Sequence, residues 1–134
     1  MSTKIFVNLP VKDLAKSIAF FSRLGYTVNS RFTDDNAGCL VISDSIFAML
    51  LTESSFKAFT EMEIPDTATS AQAILALGLD SRAEVDELVA KAVAAGATEP
   101  RGATDEGFLY GRSFADLDGH LWEAFWMDPA ALPD

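Results

Sequence analysis

One order of predicted elements, a strand, a helix and three further strands, occurs twice in this chain. The predicted helices match in register, because Leu14 and Val85 have the same spacing along the sequence as Gly25 and Gly96, the glycines that end the helices. Similarity at a fixed spacing indicates copies of one supersecondary unit. The recurrence of the full order therefore predicts a chain of two similar modules.

Capping and turn residues give the first module its boundaries. Pro10 is expected to end the first strand, Asp13 can cap the helix, and Gly25 can terminate it. Ser54 is the expected cap of a short helix after the last strand. The module is predicted to contain a strand, a helix and three strands, over residues 4–9, 14–24, 26–32, 38–42 and 46–51.

The second module follows a polar segment, residues 61–71, that has no hydrophobic period and is interpreted as a linker. Asp118-Gly119 lies between two aromatic-rich runs, which is a strong hairpin signal because glycine accepts the positive φ of a tight turn. The predicted elements are again a strand, a helix and three strands, over residues 73–79, 82–95, 97–101, 108–115 and 121–127.

Charge and cysteine content exclude several classes of protein. The net charge of −10 argues against a nucleic acid or an anionic membrane as partner. Cys39 is the only cysteine, so an intrachain disulfide and a cysteine-based zinc site are excluded, and its apolar surroundings predict a buried thiol. The chain shows neither a signal peptide nor a membrane span, and a cytoplasmic location is expected.

The second strand of the last hairpin places an ionisable group among large apolar side chains. Alternate residues of a strand share a face, so Glu123 lies with Leu121 and Phe125. Carboxylates are rarely buried without a partner, so Glu123 is either part of a site or at a rim. It could act as a general base or anchor a ligand, or it could simply pair with a nearby arginine such as Arg112.

Two segments carry a resemblance to a known family. Residues 7–25, VNLPVKDLAKSIAFFSRLG, and residues 111–123, GRSFADLDGHLWE, resemble the opening and closing motifs of the vicinal oxygen chelate superfamily. That superfamily includes glyoxalase I, bleomycin-resistance proteins and extradiol dioxygenases. The resemblance implies an α+β fold in which two tandem βαβββ modules form an open, curved, eight-stranded mixed sheet around a cavity, with the helices outside.

The domain organisation follows from the same resemblance. Residues 1–134 are expected to form a single glyoxalase-like domain, with module one at 1–60, the linker at 61–71 and module two at 72–134. The resemblance also implies a homodimer.

The family holds one metal ion with four side chains, two from each module. In this sequence, the resemblance assigns those positions to Phe6, Met49, Ile74 and Glu123. Phenylalanine and isoleucine have no donor atom, and a thioether is a soft ligand. No metal and no cofactor are therefore expected.

The leading hypothesis is a metal-free protein that binds a small, mostly apolar molecule, as the bleomycin-resistance branch does. Glu123 is the candidate catalytic residue. The candidate ligand-binding residues are Phe6, Asn8, Met49, Ile74, Tyr110, Arg112 and Phe125. One alternative is a lyase or isomerase, similar to lactoylglutathione lyase, in which Glu123 is a base or a metal ligand. Another is a subunit whose role is assembly.

Overall fold

The structure, a computed structural model, describes residues 3–131. These residues divide into two compact units, with the boundary between residues 66 and 67. Each contains a four-stranded mixed sheet that is open at both edges. The predicted α+β class and the two βαβββ modules are confirmed.

The first unit has the strand order β1-β4-β3-β2, with β1 parallel to β4 and the other pairs antiparallel. Its strands and helices are β1 (Ile5–Val11), α1 (Leu14–Arg23), β2 (Thr27–Val28), β3 (Ala37–Val41), β4 (Ile46–Thr52) and α2 (Glu53–Lys57).

The second unit repeats this topology in the order β5-β8-β7-β6, with β5 parallel to β8. Its elements are β5 (Ile74–Gly78), α3 (Arg82–Ala94), β6 (Thr104–Asp105), β7 (Leu109–Ala115) and β8 (Leu121–Met127). Short 3-10 turns occur at Ser30–Phe32 and Pro129–Ala131.

The helix boundaries follow from local chemistry. The Asp13 carboxylate accepts a hydrogen bond from the backbone N–H of Lys16, and a glycine with φ of 102°, Gly25, follows the end of α1. Ser81 caps α3 in the same way, and Gly96 follows that helix with φ of 114°. The predicted starts and stops of both long helices are thus confirmed to within one residue.

Four expectations about local structure are wrong. Strand β1 continues through Pro10, because an edge strand has one side on which a missing N–H is tolerated. Residues 26–32 form only a two-residue strand, since the Asn29 side chain accepts from the Arg31 N–H and starts a 3-10 turn. Residues 97–101 contribute a single bridge at Thr98, and Thr52 rather than Ser54 caps α2.

Each sheet packs one face against its long helix. In the first unit, a side chain at Gly38 would meet Ile18 of α1, so this face of β3 lies against the helix. The residues directly before and after Gly38 in β3 therefore point away from α1. In the second unit, Phe114 and Trp122 stack with ring centroids 6.2 Å apart, and both are buried with Val85 and Val89 of α3. Among the described residues, no helix is long and apolar enough to cross a membrane.

Candidate functional site

Three of the candidate ligand-binding residues lie together in the first unit, on the face opposite α1. Asn8 and Met49 are register partners in β1 and β4, and Phe6 pairs with Phe47 two residues away. The rings of Phe6 and Phe47 stack with centroids 4.6 Å apart, and Phe6 remains 49% exposed. Buried Cys39, the register partner of Met49 in β3, shares this face, and its burial confirms the prediction for the thiol.

Three more candidates lie together in the second unit, on the face opposite α3. Ile74, Glu123 and Phe125 belong to the adjacent parallel strands β5 and β8. The Phe125 ring lies over Gly78, where an added Cβ would be 3.3 Å from the ring. Ile74 is 55% exposed and Glu123 is half-buried. On the described strands of this face, Glu123 is the only carboxylate.

The donor atoms at the four positions do not fit a metal centre. In the first unit, Phe6 and Met49 offer one thioether; in the second, Ile74 and Glu123 offer one carboxylate. Divalent ions of the glyoxalase type require imidazole or carboxylate ligands. Within residues 3–131, no group of three or more histidine, cysteine, aspartate or glutamate side chains is placed to hold a metal ion.

Tyr110 and Arg112 lie on the other side of the second sheet from Glu123. Arg112 donates from Nε and Nη2 to Glu99 over 2.9 and 2.8 Å, and from Nη1 to Asp86 of α3 over 3.0 Å. The Tyr110 hydroxyl donates to the same Asp86 carboxylate over 2.5 Å. The alternative in which Glu123 pairs with Arg112 is therefore wrong, because the sheet separates the two side chains and Arg112 is already held by two carboxylates.

The charges on the α3 side are mutually satisfied. Hydrogen bonds from Tyr110 and Arg112 lower the pKa of Asp86, and the hydrogen bond from Arg112 lowers the pKa of Glu99. Nearby, Arg82 donates to both oxygens of Asp105 and holds the pKa of that carboxyl at about 2. Carboxylates held in this way are poor proton acceptors at neutral pH, so this cluster is not suited to general base chemistry.

A groove of about 510 Å³ opens beside this cluster. Tyr110, Arg112 and residues 99–103 line it. The sequence places Tyr110 and Arg112 among the binding residues together with Glu123. In the structure Tyr110 lines this groove without Glu123, whereas Arg112 lines both the groove and a smaller cavity that Glu123 also lines.

One polar residue near Glu123 was not predicted from the sequence as part of a site. Ser113 of β7 is the register partner of Glu123 in β8 and shares its face. Its Oγ atom is buried and has no hydrogen-bond partner among the described residues. The turn predicted at residues 116–119 fixes the register of the hairpin and therefore pairs Ser113 with Glu123. A single serine in a strand, however, does not by itself indicate a functional residue.

The amino-terminal part of the chain matches a family model described as bleomycin resistance protein-like N-terminal, over residues 3–43. No functionally curated protein matches the chain.

Several solved structures share the fold. The hypothetical protein SA1046 from S. aureus is 27% identical, with a TM-score of 0.79 and 94% of each chain covered. A glyoxalase/bleomycin resistance protein/dioxygenase family enzyme from Burkholderia phytofirmans PsJN is 17% identical, with a TM-score of 0.77, and 94% of this chain and 99% of that chain covered. The bleomycin resistance determinant encoded on the transposon Tn5 is 19% identical, with a TM-score of 0.66 and coverage of 95% and 99%.

These folds and the match of residues 3–43 confirm the class to which residues 7–25 and 111–123 pointed, the vicinal oxygen chelate superfamily. The chain is similar to glyoxalase/bleomycin-resistance proteins in its fold, and to a bleomycin-resistance family model over residues 3–43. A shared fold does not determine an activity, which depends on the residues of the site.

Proposed function

We propose that this protein binds a small, mostly apolar molecule without a metal ion. In each unit the proposed binding surface is the sheet face opposite the long helix, with Phe6, Asn8 and Met49 in the first unit and Ile74, Glu123 and Phe125 in the second. The observation that carries the proposal is the exposure of Phe6 and Ile74 on the sheet faces that the long helices leave uncovered. Mostly apolar surfaces with a few polar groups are the usual form of a small-molecule site.

The composition of these faces sets the chemistry of the ligand. The stacked rings of Phe6 and Phe47 offer a flat apolar contact, and Met49 offers a polarisable one. Asn8 donates one Nδ2 hydrogen to the Phe6 carbonyl over 3.2 Å, so its amide oxygen and its second N–H are available to a ligand. The bleomycin-resistance proteins named among the relatives support a role in sequestration or sensing.

Binding can be measured with a neutral apolar probe, N-phenyl-1-naphthylamine, whose fluorescence rises in an apolar environment. We expect saturable binding and a loss of about fivefold in affinity for Phe6→Ala, as expected for removal of a half-exposed aromatic contact. Phe59→Ala is the matched control, because Phe59 is 79% exposed and lies outside the strands. Non-saturable binding, or equal losses for the two variants, would contradict the proposal.

Whether the protein contains a metal ion can be tested independently of ligand binding. Elemental analysis of protein purified without chelators is expected to give far less than one equivalent of zinc, nickel, iron or manganese. One equivalent of any of them, lost in Glu123→Gln, would overturn the metal-free proposal.

A second candidate function is a lyase or isomerase that uses Glu123 as a base. The observation in its favour is the half-buried position of this carboxylate beside apolar Leu121 and Phe125. Glu123→Gln distinguishes the two candidates. In a binding protein the variant changes only the affinity, whereas in an enzyme it abolishes turnover even at a saturating concentration of substrate.

We also propose that the protein is a homodimer, as the resemblance implies. Sedimentation equilibrium is expected to give about twice the chain mass of 14.4 kDa. A mass of one chain at micromolar concentration would contradict this.

A further inference from the structure

The edge of the second sheet contains a bulge beside Glu123. Strand β6 pairs Thr104 with Gly111, and an isolated antiparallel bridge joins Thr98 to Ala115. Between these two points β7 contributes residues 112–114, whereas the edge segment contributes residues 99–103. The edge segment therefore has two residues more than its partner and must bow away from β7. Bulges of this kind frequently occur next to active sites.

The bulge leaves a small cavity of about 10 Å³. Gly111, Arg112, Ser113 and Glu123 line it from the sheet, and Arg101, Gly102 and Thr104 line it from the edge segment. This volume holds one oxygen atom with its hydrogens and nothing larger.

One of the residues that line the cavity, Ser113, has an unpartnered hydroxyl among the described residues. A buried hydroxyl nearly always has a hydrogen-bond partner, and an exception calls for one that the protein atoms do not supply. The Ser113 Oγ atom is buried without such a partner among residues 3–131, and Ser113 and Glu123 line the same cavity.

We propose that this cavity receives a hydroxyl group of the bound ligand, so that the ligand is an alcohol or a phenol. An ionised carboxylate can only accept, and the Ser113 hydroxyl can donate. A ligand hydroxyl satisfies both at once, because it donates to Glu123 and accepts from Ser113. A carbonyl oxygen has no hydrogen for Glu123, and an ether fails for the same reason.

The inference rests on the proposed function and makes it more specific. Glu123 and Ser113 fix the orientation of the ligand, and the apolar side chains Ile74 and Phe125 on the same face contact its hydrocarbon part. Neither Asn8 nor any residue of the first unit is needed for this selectivity.

The test compares p-cresol with toluene, which differ by one hydroxyl group. Both are titrated into the unaltered ¹⁵N-labelled protein, and the amide shifts of Gly102 and Ser113 are followed. We expect p-cresol to bind roughly tenfold more tightly than toluene, as for a hydroxyl that gains a bond to a charged group. Equal affinities would overturn the inference.

Ser113→Ala provides the second arm, with exposed Ser70→Ala as the matched control. We expect Ser113→Ala to weaken p-cresol binding roughly three- to tenfold, to leave toluene unchanged, and Ser70→Ala to change neither. If a structural water alone fills the cavity, Ser113→Ala alters the unfolding midpoint but not the binding of p-cresol, and the inference fails.

The outcomes separate this inference from the proposed function. If N-phenyl-1-naphthylamine binds saturably but p-cresol and toluene do not differ, only the hydroxyl selectivity is refuted. If none of the three compounds binds, both proposals are refuted.

Discussion

The indole Nε1 of Trp122 donates a 3.0 Å hydrogen bond to Oδ2 of Asp116, which joins the core of the second unit to the turn of its last hairpin. The other oxygen of Asp116 accepts from the backbone N–H groups of Asp118 and His120, each over 3.0 Å. Asp116 is 8% exposed and Trp122 is 2% exposed. Both oxygens of the buried Asp116 carboxylate are thus hydrogen-bonded, as the burial of a carboxylate requires.

Removal of this carboxylate should destabilise the protein. Asp116→Ala removes the acceptor of three hydrogen bonds, one from the buried indole of Trp122 and two from part-buried backbone N–H groups. We expect a loss of about 3 kcal/mol in the free energy of unfolding. Asp44→Ala, in the exposed hairpin turn of the first unit, is the control and should change it by less than about 0.5 kcal/mol. Urea denaturation measures both; similar losses would show that the Asp116 network is not important for stability.

The ion pairs of Arg112 and of Arg82 should contribute different amounts to the stability of the protein. The Arg112 side chain is 22% exposed and its partner Glu99 is 26% exposed, whereas Arg82 and Asp105 are 40% and 52% exposed. Since water screens exposed pairs, we expect Arg112→Met to cost about 1–3 kcal/mol and Arg82→Met less than about 1 kcal/mol. Thermal denaturation of the two variants tests this order, and a larger effect at Arg82 would contradict it.

Acid should destabilise the protein by protonating the hydrogen-bonded carboxylates on the α3 side of the second sheet. The pKa values of Asp86, Glu99 and Asp105 are lowered in the folded protein, mainly by hydrogen bonds from Tyr110, Arg112 and Arg82. A lowered folded pKa contributes stability above the unfolded value, and that stability is lost as the pH falls through the folded value. The loss should therefore occur below about pH 4.5, the reference value for Glu99.

The variant Glu99→Gln tests the pH dependence. Its urea midpoint should vary less with pH between about 5 and 2 than that of the unaltered protein, because one of the titrating groups is removed. Asp116 acts in the opposite direction, since burial raises its pKa and its protonation in acid favours the folded state. An unchanged acid slope in Glu99→Gln would contradict the assignment.

Gly119 should tolerate no side chain. It has φ of 86°, and a Cβ there would clash with the backbone carbonyl of Thr67, whose hydroxyl donates to the Asp118 carbonyl. Gly107 has a similar φ of 82° but nothing within 4 Å of an added Cβ. We expect Gly107→Ala to cost about 1 kcal/mol from the backbone alone and Gly119→Ala about 2 kcal/mol or more. Equal losses in thermal denaturation would refute the clash.

The local sequence determined the helices and the last hairpin. Asp13, Ser81, Gly25 and Gly96 set the ends of α1 and α3 because capping depends on atoms within four residues. Asp118-Gly119 set the hairpin turn for the same reason. The face of Glu123 in β8 followed from strand alternation, which is also a local property.

Only the tertiary structure decided the edge of the second sheet and the partners of the charged side chains. The extent of β6 and the bulge at residues 99–103 depend on pairing with β7, and a two-residue strand has no hydrophobic period to predict it. Arg112 donates hydrogen bonds to Glu99 and Asp86, which are 13 and 26 residues away in the sequence. Such contacts form only when distant segments pack together, so the sequence could identify Arg112 as a candidate but could not identify its partners.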